Sequence, residues 1–422
     1  MWGGEGFLSE DGLRASRGIN LKMRVIIIGN GLAGTIFAKT LRELMQDAEI
    51  DIFSDEKYHY YPRPNLIEFL AGNIPLDKMF AFSEEWYGEQ NLNIHLAMPV
   101  KKIIPGSKEV EADGGGRTKY DALLIANGSH SFIPPFQGAE KRGVYSLRTL
   151  DDAFEILDYL EDHPRVVVIG GGLLGLETAR AMRAREAEVE VVEFFERLLP
   201  RQLDVQGASL LKSQIEKIGI KVRLGLATEE ILGQGEVTGL RFKGGEEIKA
   251  DMAIVAAGVR SNILLATEAG LETDRGLVVN DYLQTSSPEI YAAGDVAQYQ
   301  GSVYGIIPAA FNQARMAAFN VSGEEKKYEG TILSNTLKVV GIDLTSIGLV
   351  NPEGGPFEEL RTEKEKEGIY KKVVIQNSTV VGAVWVGTKK GVDQINRIIS
   401  QKANVEKWKD SLLEDDFDFS VL

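Results

Sequence analysis

The pattern G-x-G-x-x-G occurs twice in this chain, and each copy directly follows an apolar run that is typical of a buried strand. The first copy spans residues 29–34, after the run at residues 24–28. The second spans residues 170–175, after the run at residues 165–169, and helix-forming sequence follows both copies. In such a strand–turn–helix unit the glycines permit a tight turn, a close approach of the backbone to a pyrophosphate, and helix-on-strand packing. The sequence therefore predicts two Rossmann-like units and two bound dinucleotides.

The residues expected to bind the two pyrophosphates are those of the turns and of the helix starts, where backbone N–H groups point at an anion. They are Gly29, Gly31, Leu32, Ala33 and Gly34 in the first unit and Gly170, Gly172, Leu173, Leu174 and Gly175 in the second. An ordinary strand-to-helix turn is the alternative, but coincidence would have to supply strand, spacing and helix twice.

An acidic residue about 20 residues beyond such a turn accepts the ribose hydroxyls of an adenosine. In the second unit this residue is Glu193, and a carboxylate there repels a 2′-phosphate, which favours NADH over NADPH. Arg197 and Arg201 follow and could still reach a phosphate. In the first unit we expect Asp55, with Glu56 as the rival. A solvated strand end is the alternative for each acid.

Residues 285–297 resemble the second FAD motif of the glutathione-reductase superfamily, the FAD-dependent pyridine nucleotide-disulfide oxidoreductases. The resemblance implies that Asp295 binds the ribityl chain of FAD and that Gly294 lets the backbone approach it. It also implies that the helix beginning near Pro308 and Ala309 points its positive end at the flavin pyrimidine.

Two shorter signatures of the same superfamily lie at residues 123–128 and 254–262. By resemblance they mark the two crossings between an FAD domain and an NAD domain, with Ala126 and Gly128 beside FAD and Gly258 beside NAD. The match runs in order from residue 23 to about residue 387.

The chain has no cysteine. The disulfide reductases of this superfamily need a redox-active cysteine pair, and its peroxidases and coenzyme A-disulfide reductases need a single reactive cysteine. Those chemistries are excluded. A flavoprotein that accepts hydride and has no thiol must pass its electrons to an external acceptor.

Within the cysteine-free branch, the local sequence is most similar to NAD(P)H:rubredoxin oxidoreductases and to the FAD/NAD module of nitrite reductase large subunits. Residues 54–66, which include Arg63, resemble the segment that passes the flavin, and residues 193–204 resemble the loop after the NAD-ribose strand. Related ferredoxin reductases of oxygenase systems carry a lysine near flavin N5 where this chain has Glu68. That difference argues against the oxygenase type, although an ordinary exposed helix residue is the alternative for Glu68.

The resemblance also places Glu177 in the nicotinamide pocket, at the start of the helix after the second turn. Its helix-terminal position alone would stabilise an acid by roughly 0.3–1 kcal/mol, so a structural role is the alternative. Rubredoxins and many ferredoxins are acidic, and the candidates for a basic docking patch are Lys338, Lys389, Lys390 and Arg397.

The 422 residues predict two to four domains at about 100–200 residues each. We expect an α/β fold with two Rossmann-like, three-layer β/β/α nucleotide-binding domains, one inserted in the other, and a small α+β C-terminal domain that supports the flavin or a homodimer interface. The expected segments are a flexible extension (or upstream start) at 1–22, an FAD domain at 23–133 and 257–325 with a β-rich excursion at 99–120, an NAD domain at 134–256, the C-terminal domain at 326–401, and a mobile acidic tail at 402–422.

Composition narrows the choice of partners. The formal charge of −15 repels nucleic acid and anionic lipid. No apolar run reaches the about 18 residues of a membrane span, and the start of the chain lacks the apolar centre of a secretion signal, so a cytoplasmic protein is expected. The four histidines are scattered, and no metal site is predicted.

The sequence thus predicts a flavoprotein oxidoreductase that passes hydride from NAD(P)H to FAD and then electrons to a rubredoxin-like or ferredoxin-like carrier. One alternative is the electron-input subunit of a nitrite- or sulfite-reductase-type assembly, which would need a separate partner because no cysteine-rich cluster domain follows. Another is a non-catalytic protein that senses redox state through bound FAD and NADH.

Overall fold

The computed structural model describes residues 22–331 and 334–421, with the side chains of 334–339 excepted. The expected N-terminal extension lies outside the described residues apart from Lys22. Within them the chain forms nine α-helices, numbered in chain order: α1 Leu32–Leu44, α2 Asn65–Leu70, α3 Glu84–Glu89, α4 Leu150–Leu160, α5 Leu173–Ala184, α6 Val205–Lys217, α7 Leu264–Glu268, α8 Ile307–Val321 and α9 Val392–Gln401.

The same residues contain 25 strands. In chain order they are β1 Arg24–Ile28, β2 Glu49–Phe53, β3 Leu92–His95, β4 Val100–Ile104, β5 Glu109–Ala112, β6 Arg117–Lys119, β7 Ala122–Ile125, β8 Ser129–Ser131, β9 Val144–Tyr145, β10 Arg165–Ile169, β11 Glu188–Val192, β12 Lys221–Arg223, β13 Thr228–Leu232, β14 Gly239–Phe242, β15 Glu247–Lys249, β16 Met252–Val255, β17 Val259–Ser261, β18 Leu277–Val279, β19 Ile290–Ala292, β20 Ala297–Tyr299, β21 Ser334–Val339, β22 Ile342–Gly348, β23 Glu358–Lys364, β24 Ile369–Gln376 and β25 Thr379–Val386.

Two parallel sheets form the centre of the molecule. The first has the strand order β19-β7-β1-β2-β3, and the second has the order β12-β11-β10-β16-β9. The strand before each glycine turn, β1 or β10, is the middle strand of its sheet. A middle strand of a parallel sheet is covered on both faces, which explains why both read as unbroken apolar runs. The expected α/β class is confirmed.

Antiparallel sheets accompany each parallel one. The excursion expected at residues 99–120 forms the sheet β4-β5-β6, and its counterpart in the second unit is β13-β14-β15. We call the β1 sheet with α1 and α8 the first unit, and the β10 sheet with α5 and α6 the second unit.

The two segments expected to cross between the domains pair with each other. Strands β8 and β17 form an antiparallel ribbon. Just outside the ribbon, the side-chain amide of Asn127 donates to the carbonyl of Asn262 at 3.0 Å, and that of Asn262 donates to the carbonyl of Asn127 at 2.7 Å. This reciprocal pair joins the two crossings, while the domain boundaries stay predictions.

The C-terminal residues form an antiparallel sheet in the order β21-β22-β25-β24-β23, with α9 packed on β25. Alternating sequence at residues 336–340, 370–375 and 380–385 predicts three strands, and these correspond to β21, β24 and β25. Strands β22 and β23 were not expected. Strand β23 reads E-E-L-R-T-E-K and lies at the sheet edge, where it has little apolar sequence to signal it.

A cluster of buried charges joins this sheet to the second unit. Asp204 caps α6 through the N–H of Gly207 at 3.0 Å and accepts a hydrogen bond from the Tyr370 hydroxyl at 2.6 Å. The ammonium of Lys372, only 2% exposed, lies 3.4 Å from Asp204 and 3.0 Å from Glu359. Burial acts to raise the pKa of Asp204, but the hydrogen bond from Tyr370 and the charge of Lys372 outweigh it and hold the pKa below its usual value.

The acidic tail differs from the expectation of a mobile segment. Over its described part, residues 402–421, the side chains of Val405 and Leu412 are buried in the core between the C-terminal sheet and α9. Asp415 binds Lys364 at 2.5 Å and Lys371 at 2.6 Å. The run of acids predicted a solvated segment. Instead, two lysines that are distant in sequence pair with Asp415, and the buried side chains of Val405 and Leu412 hold the segment against the core.

We predict that Asp204→Asn destabilises the protein by about 1.5–3 kcal/mol near neutral pH, the value of a hydrogen bond to a charged group. Because the pKa of Asp204 is lowered in the fold, its contribution is full above the unfolded pKa of about 3.9 and is lost as pH falls through the lower folded value. Urea unfolding between about pH 3 and pH 7 should therefore show the two proteins converging in acid. Asp416→Asn, at an exposed and unpaired position, is the matched control, and a pH-independent difference would contradict the assignment.

Candidate functional site

The three glycines of the first turn have three different structural roles. Gly29 has a φ of +108°, and a Cβ there would collide with the carbonyl oxygen of Ala126 on the neighbouring strand. A Cβ on Gly34 would collide with the carbonyl oxygen of Gly29, so this glycine lets α1 pack on β1. Gly31 faces open space and precedes α1 without any side-chain cap. The first N–H groups of α1 therefore face space that a phosphate could occupy.

The second turn repeats this geometry. Gly170 has a φ of +120° and would collide with the carbonyl oxygen of Ala256, and Gly175 would collide with Gly170. Gly172 faces open space at the uncapped start of α5. Two turns, each built at the carboxyl end of a central parallel strand, thus present the same anion-binding surface.

The remaining residues predicted from the turns lie around these surfaces. Ala126 and Ala256 occupy equivalent positions in the two units. The N–H of each donates, at 2.8 Å, to the carbonyl oxygen of the last residue of the central strand, β1 or β10. Gly258 has a φ of +103° and faces open space. Four further predicted residues lie near the two glycine turns. Leu32 begins α1, Leu173 begins α5 with the exposed Leu174 next to it, and Gly128 precedes β8.

Glu193 directly follows β11, as predicted, and its carboxylate is fixed by the backbone. One oxygen accepts the N–H of Gly171 at 2.5 Å, and the other accepts the N–H of Phe195 at 2.8 Å. Arg197 is turned toward its own loop, where its guanidinium donates to the carbonyl of Leu203 at 3.3 Å. Arg201 is exposed and makes no hydrogen bond or ion pair within the described part of the chain. The backbone therefore holds the Glu193 carboxylate in one orientation, whereas Arg197 is directed toward its own loop and Arg201 has no described partner.

Two aromatic rings that were not predicted from the sequence lie beside this acid. Phe194 and Phe195 are 65% and 54% exposed and meet edge to face at 5.2 Å. The sequence feature that could have predicted them is the pair of consecutive aromatic residues directly after Glu193. Exposed flat rings at this place offer a stacking surface to a base.

The residue that directly follows the second strand differs between the two units. The carbonyls of Phe53 and Val192 both accept the N–H of the first turn glycine at 2.8 Å, so Ser54 is the counterpart of Glu193. Asp55 follows and is exposed, without an ion pair among the described residues. Glu56 instead forms an ion pair with Arg63. The geometry leaves Asp55 free, and its assignment to the FAD ribose stays a prediction.

The second FAD motif lies against the first turn. Gly294 has a φ of +85°, and a Cβ there would lie 3.1 Å from the Cβ of Ala33 on α1. Its N–H donates to the side chain of Gln313 on α8 at 2.9 Å. Helix α8 begins at Ile307, with Pro308 in its first turn and Ala309 buried. The structure thus brings Gly294 together with α1, the helix that follows the first glycine turn, and with α8.

Asp295 has partners that the sequence did not reveal. Its carboxylate accepts hydrogen bonds from the hydroxyl of Ser129 at 2.8 Å and from the guanidinium of Arg148 at 2.9 Å. Arg148 precedes α4 and lies outside every recognised motif, so only the folded chain identifies it. The pair orients the carboxylate beside β8.

Three buried amide atoms near the first turn lack a hydrogen-bond partner in the described structure. They are Nδ2 of Asn30 within the turn, Oδ1 of Asn127 beside it, and Nε2 of Gln313 below Gly294. Unpaired buried polar atoms cost stability and call for a ligand or an ordered water. Together with the open space at Gly31, these atoms fit a site for FAD.

The two acids expected near the flavin and the nicotinamide share one cation. Arg180 on α5 donates to Glu68 on α2 at 2.6 Å and to Glu177 at 2.9 Å. Glu177 also accepts the N–H of Val340, in the C-terminal sheet region, at 2.5 Å. Hydrogen bonds from Asn73 and Arg180 lower the pKa of Glu68, so its carboxylate is charged at neutral pH. Glu68 is therefore an ion-paired residue between elements rather than an isolated carboxylate.

Within the described residues, no group of three or more His, Cys, Asp or Glu side chains could hold a metal ion. The same part of the chain contains no helix long and apolar enough to cross a membrane.

Comparison with known proteins agrees with this geometry. The model of the pyridine nucleotide-disulphide oxidoreductase family matches residues 23–317, which contain both turns and the second FAD motif. The chain belongs to this family. A second model, that of the rubredoxin NAD+ reductase C-terminal domain, matches residues 334–403. Membership implies binding of FAD and of NAD(P)H.

Individual relatives place the chain in the branch expected from sequence. It is 36% identical over 396 residues to a nitrite reductase [NAD(P)H] of Bacillus subtilis, covering 93% of this chain and 49% of that protein. It is 32% identical to the NADH-rubredoxin oxidoreductase of Clostridium acetobutylicum, covering 87% of this chain and 93% of that protein. A solved ferredoxin reductase from Rhodopseudomonas palustris superposes with a TM-score of 0.85 at 26% identity, covering 94% of this chain and 99% of that one. The chain spans about half the length of the first three curated relatives it matches.

We predict that Gly31→Val lowers FAD affinity at least about tenfold, which corresponds to ~1.4 kcal/mol, without unfolding the protein. A side chain at Gly31 meets no protein atom within 4 Å but would fill the space in front of α1. The measurement is the FAD-to-protein ratio after reconstitution, with circular dichroism to confirm the fold. Gly106→Val, at a glycine with equally open surroundings outside the site, is the control. Full FAD content in Gly31→Val would contradict the site.

Proposed function

We propose that this protein takes hydride from NADH through bound FAD and delivers the electrons to a small external redox protein of the rubredoxin type. The observation that carries the proposal is the pair of matching glycine turns, one beside the second FAD motif and one beside Glu193, in a chain without cysteine. FAD, when bound, supplies the ability to accept two electrons together and release them singly.

The residues of the chain contribute binding and orientation. The open N-termini of α1 and α5 bind the two pyrophosphates, and Glu193 binds the ribose of the pyridine nucleotide. Asp295, held by Ser129 and Arg148, is placed to bind the sugar-like chain of FAD. Arg180 holds Glu68 of α2 and Glu177 of α5 together and neutralises one of their two negative charges.

Selectivity for NADH follows from the neighbours of Glu193. The carboxylate is held in place by two backbone N–H groups and would repel a 2′-phosphate. Arg197, the nearest cation along the chain, donates to the carbonyls of Pro200 and Leu203 instead of facing the acid. The described pocket therefore favours two ribose hydroxyls. The name of the Clostridium relative, an NADH-rubredoxin oxidoreductase, agrees.

The choice of acceptor rests on two supports. The chain has no thiol to take up electrons from FAD. Its C-terminal residues match the rubredoxin NAD+ reductase C-terminal domain. A second candidate, the electron-input part of a nitrite-reductase-type assembly, is favoured by the 36% identity to a nitrite reductase that is about twice as long.

We predict rapid loss of the yellow flavin absorbance when the FAD-loaded protein meets NADH without oxygen, and rapid recovery when rubredoxin is added. Stopped-flow absorbance against rubredoxin, ferredoxin, a nitrite-reductase partner and oxygen ranks the acceptors. Rubredoxin should be fastest. A protein that takes up no FAD would refute the proposal. Slow reduction with a long-lived charge-transfer band would favour a redox sensor instead.

We predict that Glu193→Ala lowers kcat/KM for NADH about ten- to a hundredfold, since a hydrogen bond to a charged group contributes about 1.5–3 kcal/mol. The loss should appear in KM, and discrimination against NADPH should relax. Glu196→Ala, in the same loop and without a hydrogen bond among the described residues, should leave both constants unchanged. Unaltered kinetics in Glu193→Ala, or a parent enzyme that prefers NADPH, would transfer the assignment to Arg197 or Arg201.

A further inference from the structure

The loop that follows Glu193 packs against the C-terminal region. We call residues 194–204 the Glu193 loop. Three of its side chains have no exposed surface and lie in the same apolar core as Val350: Leu198, Leu199 and Leu203. The residues around Val350 therefore support a loop that begins beside a predicted ligand of the pyridine nucleotide.

The Glu193 loop also contacts the second glycine turn. The N–H of Leu199 donates to the carbonyl oxygen of Gly171 at 3.2 Å, and a Cβ on Gly171 would lie 2.6 Å from the side chain of Leu198. Leu199 has a φ of +48°, a left-handed conformation that is unfavourable for a bulky side chain and persists only where the surrounding contacts impose it. The conformation of the loop therefore depends on its contacts, and a shift of the loop would also change its contact with the turn.

One side chain of the C-terminal region binds the backbone of the Glu193 loop. The amide NH2 of Asn351 donates to the carbonyl oxygens of Pro200 and Leu203, at 3.2 Å and 3.1 Å. The guanidinium of Arg197 donates to the same two oxygens, at 3.2 Å and 3.3 Å. A carbonyl oxygen has two lone pairs and can accept both donors. Asn351 therefore fixes the two acceptors that hold the guanidinium of Arg197.

The orientation of Arg197 bears on the choice of coenzyme. Arg197 directly precedes Leu198, the residue that contacts the turn at Gly171, so its side chain starts close to the nucleotide site. An arginine that faces the ribose accommodates the 2′-phosphate of NADPH. Arg197 can do so only by releasing the two loop carbonyls.

Two of the basic residues named from the sequence in the C-terminal region are bound elsewhere. Lys389 lies 3.6 Å from Asp343, and Arg397 donates to a backbone carbonyl of the tail at 3.2 Å. The side chain of Lys338 lies outside the described residues. A contact with the Glu193 loop comes instead from the uncharged side chain of Asn351, which adds no positive charge of its own.

We propose that Asn351 is a positioning residue for coenzyme choice: by fixing the carbonyls of Pro200 and Leu203, it keeps Arg197 away from the 2′-position of the bound nucleotide. The inference rests on the proposed function, in which Glu193 binds the ribose of NADH. It assigns part of the selectivity for NADH to the C-terminal region, through a side chain that lies 151 positions after Pro200 in the sequence.

The test compares the FAD-loaded full chain with its Asn351→Ala variant. The probes are adenosine 2′,5′-bisphosphate, which carries the 2′-phosphate, and adenosine 5′-monophosphate, which lacks it. In calorimetric titrations the variant should bind the bisphosphate at least about fivefold more tightly, because a released Arg197 makes a charge-assisted hydrogen bond to the phosphate. Its affinity for the monophosphate should change less than about twofold. With ferricyanide as acceptor, KM for NADPH should fall while kcat stays unchanged.

A second substitution tests whether Asn351 acts through Arg197. Adding Arg197→Ala to Asn351→Ala should return the affinity for the bisphosphate to the wild-type value. Asn396→Ala, at an exposed asparagine of α9, is the matched control and should bind both probes as the wild type does. Asn351→Leu, which keeps the side-chain volume without a donor, gives the same comparison where Asn351→Ala does not fold.

Unchanged affinity for the bisphosphate in the Asn351 variants would overturn the proposal. So would an equal loss of affinity for both probes, which would make Asn351 a general support of the pocket, or reversal by Arg201→Ala instead of Arg197→Ala. The proposed function has a separate test: wild-type FAD that NADH does not reduce would refute it, whereas the titrations require no hydride transfer. A wild type that already binds the bisphosphate more tightly would contradict the proposed selectivity for NADH.

Discussion

The contact between a helix glycine and a turn carbonyl is the constraint on which both nucleotide units depend. Gly34 lies against the carbonyl of Gly29, and Gly175 lies against that of Gly170, so closely that no side chain fits between them. This contact fixes the start of α1 and of α5 over the end of the central strand. It therefore also determines where the uncapped N–H groups and the open space before them lie. The position of Glu193 relative to the second turn follows from the same arrangement.

The two units have the same turn but differ one residue past the second strand. Glu193 is buried and held by backbone N–H groups, whereas Ser54 occupies the equivalent place in the first unit and the acids come after it. A carboxylate fixed in this way presents its free acceptor positions in one geometry. The first unit instead surrounds its turn with amides, in Asn30, Asn127 and Gln313, whose buried atoms lack protein partners. The same turn geometry thus has different surroundings in the two units, as two different ligands would require.

Features that depend on local sequence were predictable, and features that depend on distant contacts were not. The turns, their strands and Glu193 could be predicted because spacing along the chain determines them. Arg148 and Arg180 could not, since each is defined by partners more than a hundred residues away, Asp295 in one case and Glu68 in the other. The tail was expected to be mobile for the same reason: its acids are visible in sequence, but the lysines that pair with Asp415 are not.

Arg180 shows how such distant contacts can carry function. In the sequence, Glu68 stands where related ferredoxin reductases carry a lysine, so a cation is expected to be missing there. The guanidinium of Arg180, 78% removed from solvent, comes from the second unit and satisfies both Glu68 and Glu177. Burial acts to lower its pKa, but the two carboxylates raise the pKa above its usual value, so the cation is permanent. Glu177 also accepts a hydrogen bond from the backbone N–H of Val340, so this cluster contacts the C-terminal region. Side chains of α2 and α5 and the backbone of the C-terminal region therefore meet in one hydrogen-bonded cluster, whose members are far apart in the sequence.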